Sequence, residues 1–305
     1  IHTTSSGQGH ETLVSTVIGE VLGIDPDSIR VVRPNSLESL PGNSPVGSRM
    51  AIMLGGAAAR AAEKLKAKII AIAAHQLQCD TASIHYQGGH MLSADGRQIS
   101  WDDIIELAHR QIHGLPDGMD PGLASFDIMQ VPTGGDLPKD GKVHMYPCYS
   151  FEFHLVLVAF DPIIGKPEIR SYTIGHDCGT VINPAIVSGM TYGGIAHGIG
   201  AALLEEFAYD ESGQLMTQSF LDYLMPSSHE VPDIQLVKHC TPSPHTVFGQ
   251  KGSGESGYLG APAAISSAIN HAVDGLDISF DKLPIRMSVI SDKIAAANHH
   301  RSDGE

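Results

Sequence analysis

Four times along this 305-residue chain, a run of glycine, serine and short polar side chains leads straight into a helix-like stretch. The runs are SSGQGHE at 5–11, NSPVGSRM at 43–50, HDCGTVINP at 176–184 and KGSGES at 251–256. Small residues let a backbone come close to a ligand. The first turn of a helix also carries N–H groups without intrahelical partners, which suit anions and carbonyl oxygens. One such run says little, because many helices begin after Gly and Ser. Four leave two readings open: a large, polar, phosphate-bearing ligand gripped from several sides, or four independent capping loops. The last run adds a question. Its one carboxylate, Glu255, sits among glycines just before a helical pattern, and a first-turn acid favoured by the helix dipole is the plain explanation.

Several function classes drop out early. Gly252, Gly254 and Gly257 spell GxGxxG, but the preceding SPHTVFGQK is a poor strand and Asp274 falls in a turn beyond the helix, so a Rossmann dinucleotide site is a weak reading. Apolar residues make up 42% and charged residues 17%, the balance of a globular chain. A formal charge of −15, from 19 basic and 34 acidic residues, argues against nucleic acid as a partner. Cys79, Cys148, Cys178 and Cys240 form no CxxC pair and no disulfide scaffold, which points to reducing cytoplasm. Residues 185–204 lack Asp, Glu, Lys and Arg, but their five glycines with Thr191, Tyr192 and His197 fit a buried helix near another backbone better than a membrane span. The 17 histidines offer no HxxxH or HExxH helix pair, and no GxSxG occurs. A metal ligated directly by side chains, or a serine hydrolase, is therefore not expected.

Hydrophobic periodicity predicts a helix over His10–Leu22 stopped by Gly23, and a short strand over Ser28–Arg33 ended by Pro34. It also predicts an Ala-rich helix over Met50–Gln78 with a break at Gly55-Gly56. Hairpin strands follow over Ser83–Ser100, with turns at Gly88-Gly89 and Asp95-Gly96, then a helix from Trp101 to Gln111. Residues 112–148 are rich in Pro and Gly, show no period and read as a boundary or as a long loop, functional or partner-covering. Beyond them come strands FEFHLVLVAF and PEIRSYTIGH, a helix from Pro184 to about Phe207, strands over Leu215–Tyr223 and Ile234–His239, and helices over Gly257–Val273 and Pro284–Ala297. The expected class is α+β in two lobes of mixed sheet packed with helices, 1–148 and 149–305. The opening Ile1-His2-Thr3 reads as a chain that starts inside something larger.

The segments GQGHE, VGSR, DCGTVINP and KGSGES, in this order and spacing, resemble the molybdenum-binding subunits of the xanthine oxidase family. The nearest branch holds aerobic carbon monoxide dehydrogenases and bacterial N-heterocycle and aldehyde hydroxylases. The resemblance covers nearly the whole chain but only the C-terminal half of a typical subunit. It implies a molybdenum ion held by the dithiolene of a pyranopterin, in a cytosine dinucleotide form, with no side-chain ligand to the metal. It implies that Gly7, Gln8, Gly9 and His10, with Gly47, Ser48 and Arg49, contact the pterin or its phosphates, Arg49 as a bidentate phosphate partner. Asp177, Cys178, Gly179 and Asn183 match the third motif, with Cys178 equally readable as a small packing residue. Lys251, Gly252, Ser253 and Gly254 belong to the loop that approaches the metal. The resemblance makes Glu255 the general base, taking a proton from a hydroxyl whose oxygen goes to an electron-poor substrate carbon.

Two departures stand out. Met190 occupies a place where the family often has Gln, which puts one pterin hydrogen bond in doubt, and the half that normally supplies a GGxFG loop and substrate-facing residues lies outside this chain. The implied partners are therefore a chain bearing that N-terminal half, a 2Fe–2S subunit and an FAD subunit, with a small-molecule substrate, and the chain alone is not expected to turn over. The rival readings are a non-catalytic structural or assembly subunit of the same fold, and a nucleotide-binding protein using the glycine loops.

Overall fold

A computed structural model describes the chain except for residues 34, 41, 43–44, 88, 130–140, 143–145 and 303–305. Pro34, Gly88 and part of the long central loop thus lie outside the described residues. The chain divides into two compact units. One comprises 1–148, 181–183 and 243–252; the other comprises 149–180, 184–242 and 253–305.

In the first unit, α1 (His10–Leu22) buries Val14, Val17, Val21 and Leu22, and Gly23 closes it at φ 60 with its N–H on Gly19 O. The apolar stripe packs on Ala59 and Ala62 of α2 (Met50–Gln76), where alanine lets the two helices come close. The expected break in α2 does not occur. Gly55 and Gly56 stay helical and buried, since a Cβ at Gly56 would stand 3.2 Å from the Met129 side chain and one at Gly55 3.6 Å from Leu13 and from Gln250 Nε2. Gly56 makes room for Met129 against a helix-propensity cost of about 1 kcal/mol, whereas a methyl at Gly55 would make ordinary contacts.

The far half of α2 (Ile69, Ile72, Ala73) covers an antiparallel sheet, β1 (Ile84–Gln87), β2 (His90–Ser93) and β3 (Gln98–Ser100), with α3 (Trp101–His109) completing the core through Ile104. Ser100 and Asp103 form a reciprocal capping box at the start of α3. The described part of the central loop is pinned along α2. Ser125 Oγ donates to Ala61 O at 2.7 Å, Lys68 Nζ donates to Asp120 O at 2.8 Å, and Asp127 pairs with Lys64 at 2.7 Å. Residues 29–33 are no strand; a 3-10 turn over Pro26–Ser28 precedes them, and no described strand runs beside them to complete a ladder.

In the second unit, β4 (Phe151–Asp161) pairs antiparallel with β5 (Lys166–Asp177), and β5 pairs parallel with β6 (Ile234–His239). Tyr172 and Ile174 of β5 join Ile195 and Ile199 of α4 (Pro184–Leu203), Ile265 and Ile269 of α5 (Ala261–Ala272) and Ile290 of α6 (Met287–Ser302) in one core. The backbone approach expected of the GxxxG glycines is present. A Cβ at Gly194 would lie 2.4 Å from Ser256 O, and one at Gly198 would lie 2.4 Å from the Ala261 Cβ. Two predictions need correction. Leu215–Tyr223 forms turns and a single bridge from Leu215 to Tyr209, because Phe220 and Leu221 lie exposed without a sheet beside them. The helix expected from Gly257 starts only at Ala261, after a run of turns over 254–260.

Candidate functional site

The first unit holds the first two predicted segments, with 181–183 of the third and 251–252 of the fourth. Gly7 (φ 102) has open space where a side chain would start. The Gln8 side chain is turned back on its own loop, accepting from the Ser6 N–H and the Ser5 hydroxyl, and His10 is buried with Nδ1 donating to Thr4 O at 2.8 Å. Gly9 (φ 70) stands at the mouth of α1, and Arg49 at that of α2; neither start has a side-chain hydrogen-bond cap. Gly47 (φ 74) and Ser48 (φ 53) are both left-handed, a conformation that costs Ser48 about 1–2 kcal/mol.

The fourth segment comes alongside the second. A Cβ on Gly252 would stand 1.5 Å from Ser48 O, so only glycine fits there, and the buried Gln250 donates from Nε2 to Ala51 O at 3.0 Å. Lys251 beside it is 7% exposed. The packing of Leu13 and Gln250 on Gly55 therefore gathers the first turns of α1 and α2 and the 250–252 stretch. Asn183 is half-buried in the same unit.

The second unit holds the rest. Asp177 is buried and serves its own surroundings, accepting from Gly179 N at 2.8 Å, from Thr241 N at 3.2 Å and from the Thr241 hydroxyl. Cys178 is buried, and Gly179 turns at φ 67. Ser253 is half-buried; Gly254 and Glu255 are exposed. With α5 beginning at Ala261, Glu255 stands well before the first turn over which the helix dipole acts on an acid, so the first-turn explanation for this acid is overturned.

Sequence reasoning missed what surrounds Glu255. Glu152 Oε2 accepts the Gly257 N–H at 2.7 Å, and the His176 Nε2 and Ser256 Oγ share a hydrogen bond of 2.9 Å. His154 Nδ1 and the Tyr172 hydroxyl share another at 2.7 Å, and His154 Nε2 stands 3.4 Å from Glu152 Oε1, within charge attraction but off hydrogen-bond geometry. Burial disfavours charge on Glu152, yet the His154 ring, the Gly257 amide and His176 outweigh it, and the carboxyl titrates below its ordinary range. Burial pushes His176 down, against the pull of Glu152 and Asp177, and it pushes the Tyr172 phenol up. A signal was available. Period-two alternation puts Glu152 and His154 on the face of β4 that continues inward as Val156 and Val158, while Phe151, Phe153, Leu155 and Leu157 face outward, each more than half exposed. An acid and an imidazole turned inward while aromatics face out is the reverse of a half-buried strand.

His109 and His113 do have the HxxxH spacing, but α3 ends at His109 and His113 lies in a separate 3-10 turn. Among the described residues no group of three His, Cys, Asp or Glu could hold a metal ion, and no helix is long and apolar enough to cross a membrane.

A family model described as "Molybdopterin cofactor-binding domain" matches residues 1–232. The chain is 34% identical over 282 residues to the nicotine 6-hydroxylase large subunit of Paenarthrobacter nicotinovorans, covering 92% of this chain and 33% of that one. Among solved structures, reconstituted CO dehydrogenase from Oligotropha carboxidovorans superposes with a TM-score of 0.86 at 29% identity, covering 98% of this chain and 35% of that one. Quinoline 2-oxidoreductase from Pseudomonas putida 86 gives 0.81 at 32% identity, covering 96% and 36%. The chain spans about a third of the length of the curated relatives it matches.

Proposed function

The chain belongs to the molybdopterin cofactor-binding domain family, and from that premise we propose that it is part of the molybdenum-binding subunit of a hydroxylase acting on an aldehyde or N-heteroaromatic compound. The nicotine and quinoline enzymes among its relatives favour the N-heteroaromatic class. The reading includes a cytosine dinucleotide form of the pterin, electron transfer through 2Fe–2S and FAD subunits, the remainder of the subunit on this or another chain, and a cytoplasmic setting.

The donor set fits a bulky anionic cofactor. α1 and α2 begin without side-chain caps, the space over Gly7 is open, and left-handed Gly9 and Gly47 stand at the two mouths, with the Tyr146 hydroxyl beside Gly47. In this reading Gly7, Gly9, Gly47, Ser48, Arg49 and Lys251 hold the pterin and its phosphates. Gln8, His10 and Asp177 act one step back by shaping the loops that carry the contacts. The cofactor, when bound, supplies oxygen transfer and two-electron redox chemistry. This chain supplies Glu255, whose carboxylate takes up a proton at Oε during the reaction.

The observation that carries the proposal is the setting of Glu255: an exposed acid on a run of turns, apart from any helix start, with Ser256 and Gly257 anchored beside it. In the assembled enzyme, Glu255→Gln should leave molybdenum content intact and cut turnover by about 10²–10⁴-fold. Near-normal turnover would remove Glu255 as the base, and absence of molybdenum from the wild-type complex would favour a non-catalytic assembly subunit.

A further inference from the structure

The segment 255–258 is fixed from several sides within the second unit. On one side lies α4: a Cβ on Gly257 would stand 2.3 Å from Thr191 O, and Gly194 lets the Ser256 carbonyl pass as close as a glycine allows. On the other side lie two inward side chains of the sheet. Glu152 on β4 accepts the Gly257 N–H, and His176 on β5 binds the Ser256 hydroxyl. The Glu152 carboxylate is itself held beside His154, whose ring is fixed by Tyr172 and lies where any side chain on Gly260 would fall, 2.5 Å from the ring. Backbone bonds close the turns, Ser256 N to Ser253 O at 3.1 Å and Tyr258 N to Glu255 O at 3.2 Å. The two residues after the acid thus have anchors far away in sequence, and the acid itself, exposed, sits on a short, tethered arc.

We propose that Glu152 and His176 are positioning residues for Glu255, the first through the Gly257 amide and the second through the Ser256 hydroxyl, so that β4 and β5 set where the carboxylate at 255 stands. The inference rests on the reading of Glu255 as the base. A proton acceptor displaced by about 1 Å loses on the order of 10²-fold in rate, so a loop of glycines and serines must take its precision from elsewhere. The half-buried Glu152 carboxylate and the buried His176 imidazole supply it, for an amide hydrogen bond to a charged acceptor is among the stronger ones available.

Three variants of the assembled, molybdenum-loaded enzyme test this, each read by kcat, KM, metal content and amide hydrogen exchange over 253–260. Glu152→Ala should raise exchange in that segment, lower kcat by on the order of 10²-fold and leave KM and molybdenum content near wild type. Glu152→Gln, whose amide oxygen still accepts the Gly257 N–H, should restore protection and most of kcat. Ser256→Ala removes the His176 bond with little change of shape and should cost about five-fold in kcat; if Glu152→Ala does not fold, this variant and Glu152→Gln carry the test. Unchanged exchange over 253–260 in both Glu152→Ala and Ser256→Ala would overturn the proposal. So would raised exchange with wild-type kcat in an enzyme that Glu255→Gln inactivates. If Glu255→Gln itself keeps near-normal turnover, it is the base assignment that fails, and the exchange data alone decide whether Glu152 and His176 hold the loop.

Discussion

The mouth of α1 and the turn run carrying Glu255 look alike on paper, each a short glycine-rich stretch with one prominent polar side chain, and they are built in opposite ways. At α1 the contacts are local: Gln8 closes on Ser6 two residues away, and His10 on Thr4 six residues away. Around Glu255 they are remote: Glu152 lies 105 residues from Gly257, and His176 lies 80 from Ser256. A loop that folds on itself can present backbone amides to a ligand that brings its own grip. A loop that must aim one carboxylate needs a frame outside itself.

Substitutions at the glycines should separate the two constructions. The largest effect is expected for Gly257→Ala, where a left-handed backbone (φ 86) and the carbonyl of Thr191 2.3 Å from the new methyl act together. About 3–4 kcal/mol should be lost in urea unfolding, with turnover falling alongside. Gly7→Ala carries the same backbone penalty (φ 102) into open space, and about 1–2 kcal/mol is expected with the fold kept. Equal losses in the two variants would erase the distinction between a framed and a self-contained loop.

The smallest effect concerns pH. Burial lowers the His176 pKa, so the neutral ring is favoured in the folded state and its contribution to stability is complete above the unfolded value of about 6.5. Below that value the unfolded chain takes up a proton that the folded one resists, and stability declines until the folded pKa is passed. Glu152, also lowered, adds a second decline below its own unfolded value of about 4.3. Thermal unfolding followed from pH 8 to 4 should therefore show a limb beginning near 6.5 that His176→Gln removes. Persistence of that limb in the variant would assign it to another histidine.

What the sequence made legible follows the same division. α1 with its Gly23 stop, the β1–β2–β3 hairpins and the start of α3 were readable because caps, turns and periods act within a few residues. The family was readable because the motifs that carry it are contiguous. The unbroken course of α2 through Gly55-Gly56 was not readable, since the reason is a neighbour from elsewhere in the chain, and neither was the late start of α5. Glu152 and His154 carry no motif and are marked only by the alternation of β4, whose inward face is known once the strand has a partner, and His176 opens the third segment without any local sign that it reaches Ser256.

The hydrogen bond from Gly257 to Glu152 also bears on the order in which this half of the molecule comes together. β4 and β5 can zip as a hairpin within their own stretch of chain, whereas the arc bearing the acid must wait until α4 and β6 have been laid down and residue 257 returns to residue 152. On the reading of Glu255 as the base, an arc with such remote anchors should loosen on warming before the hairpin does, and turnover should then fall while the sheet beneath is still intact.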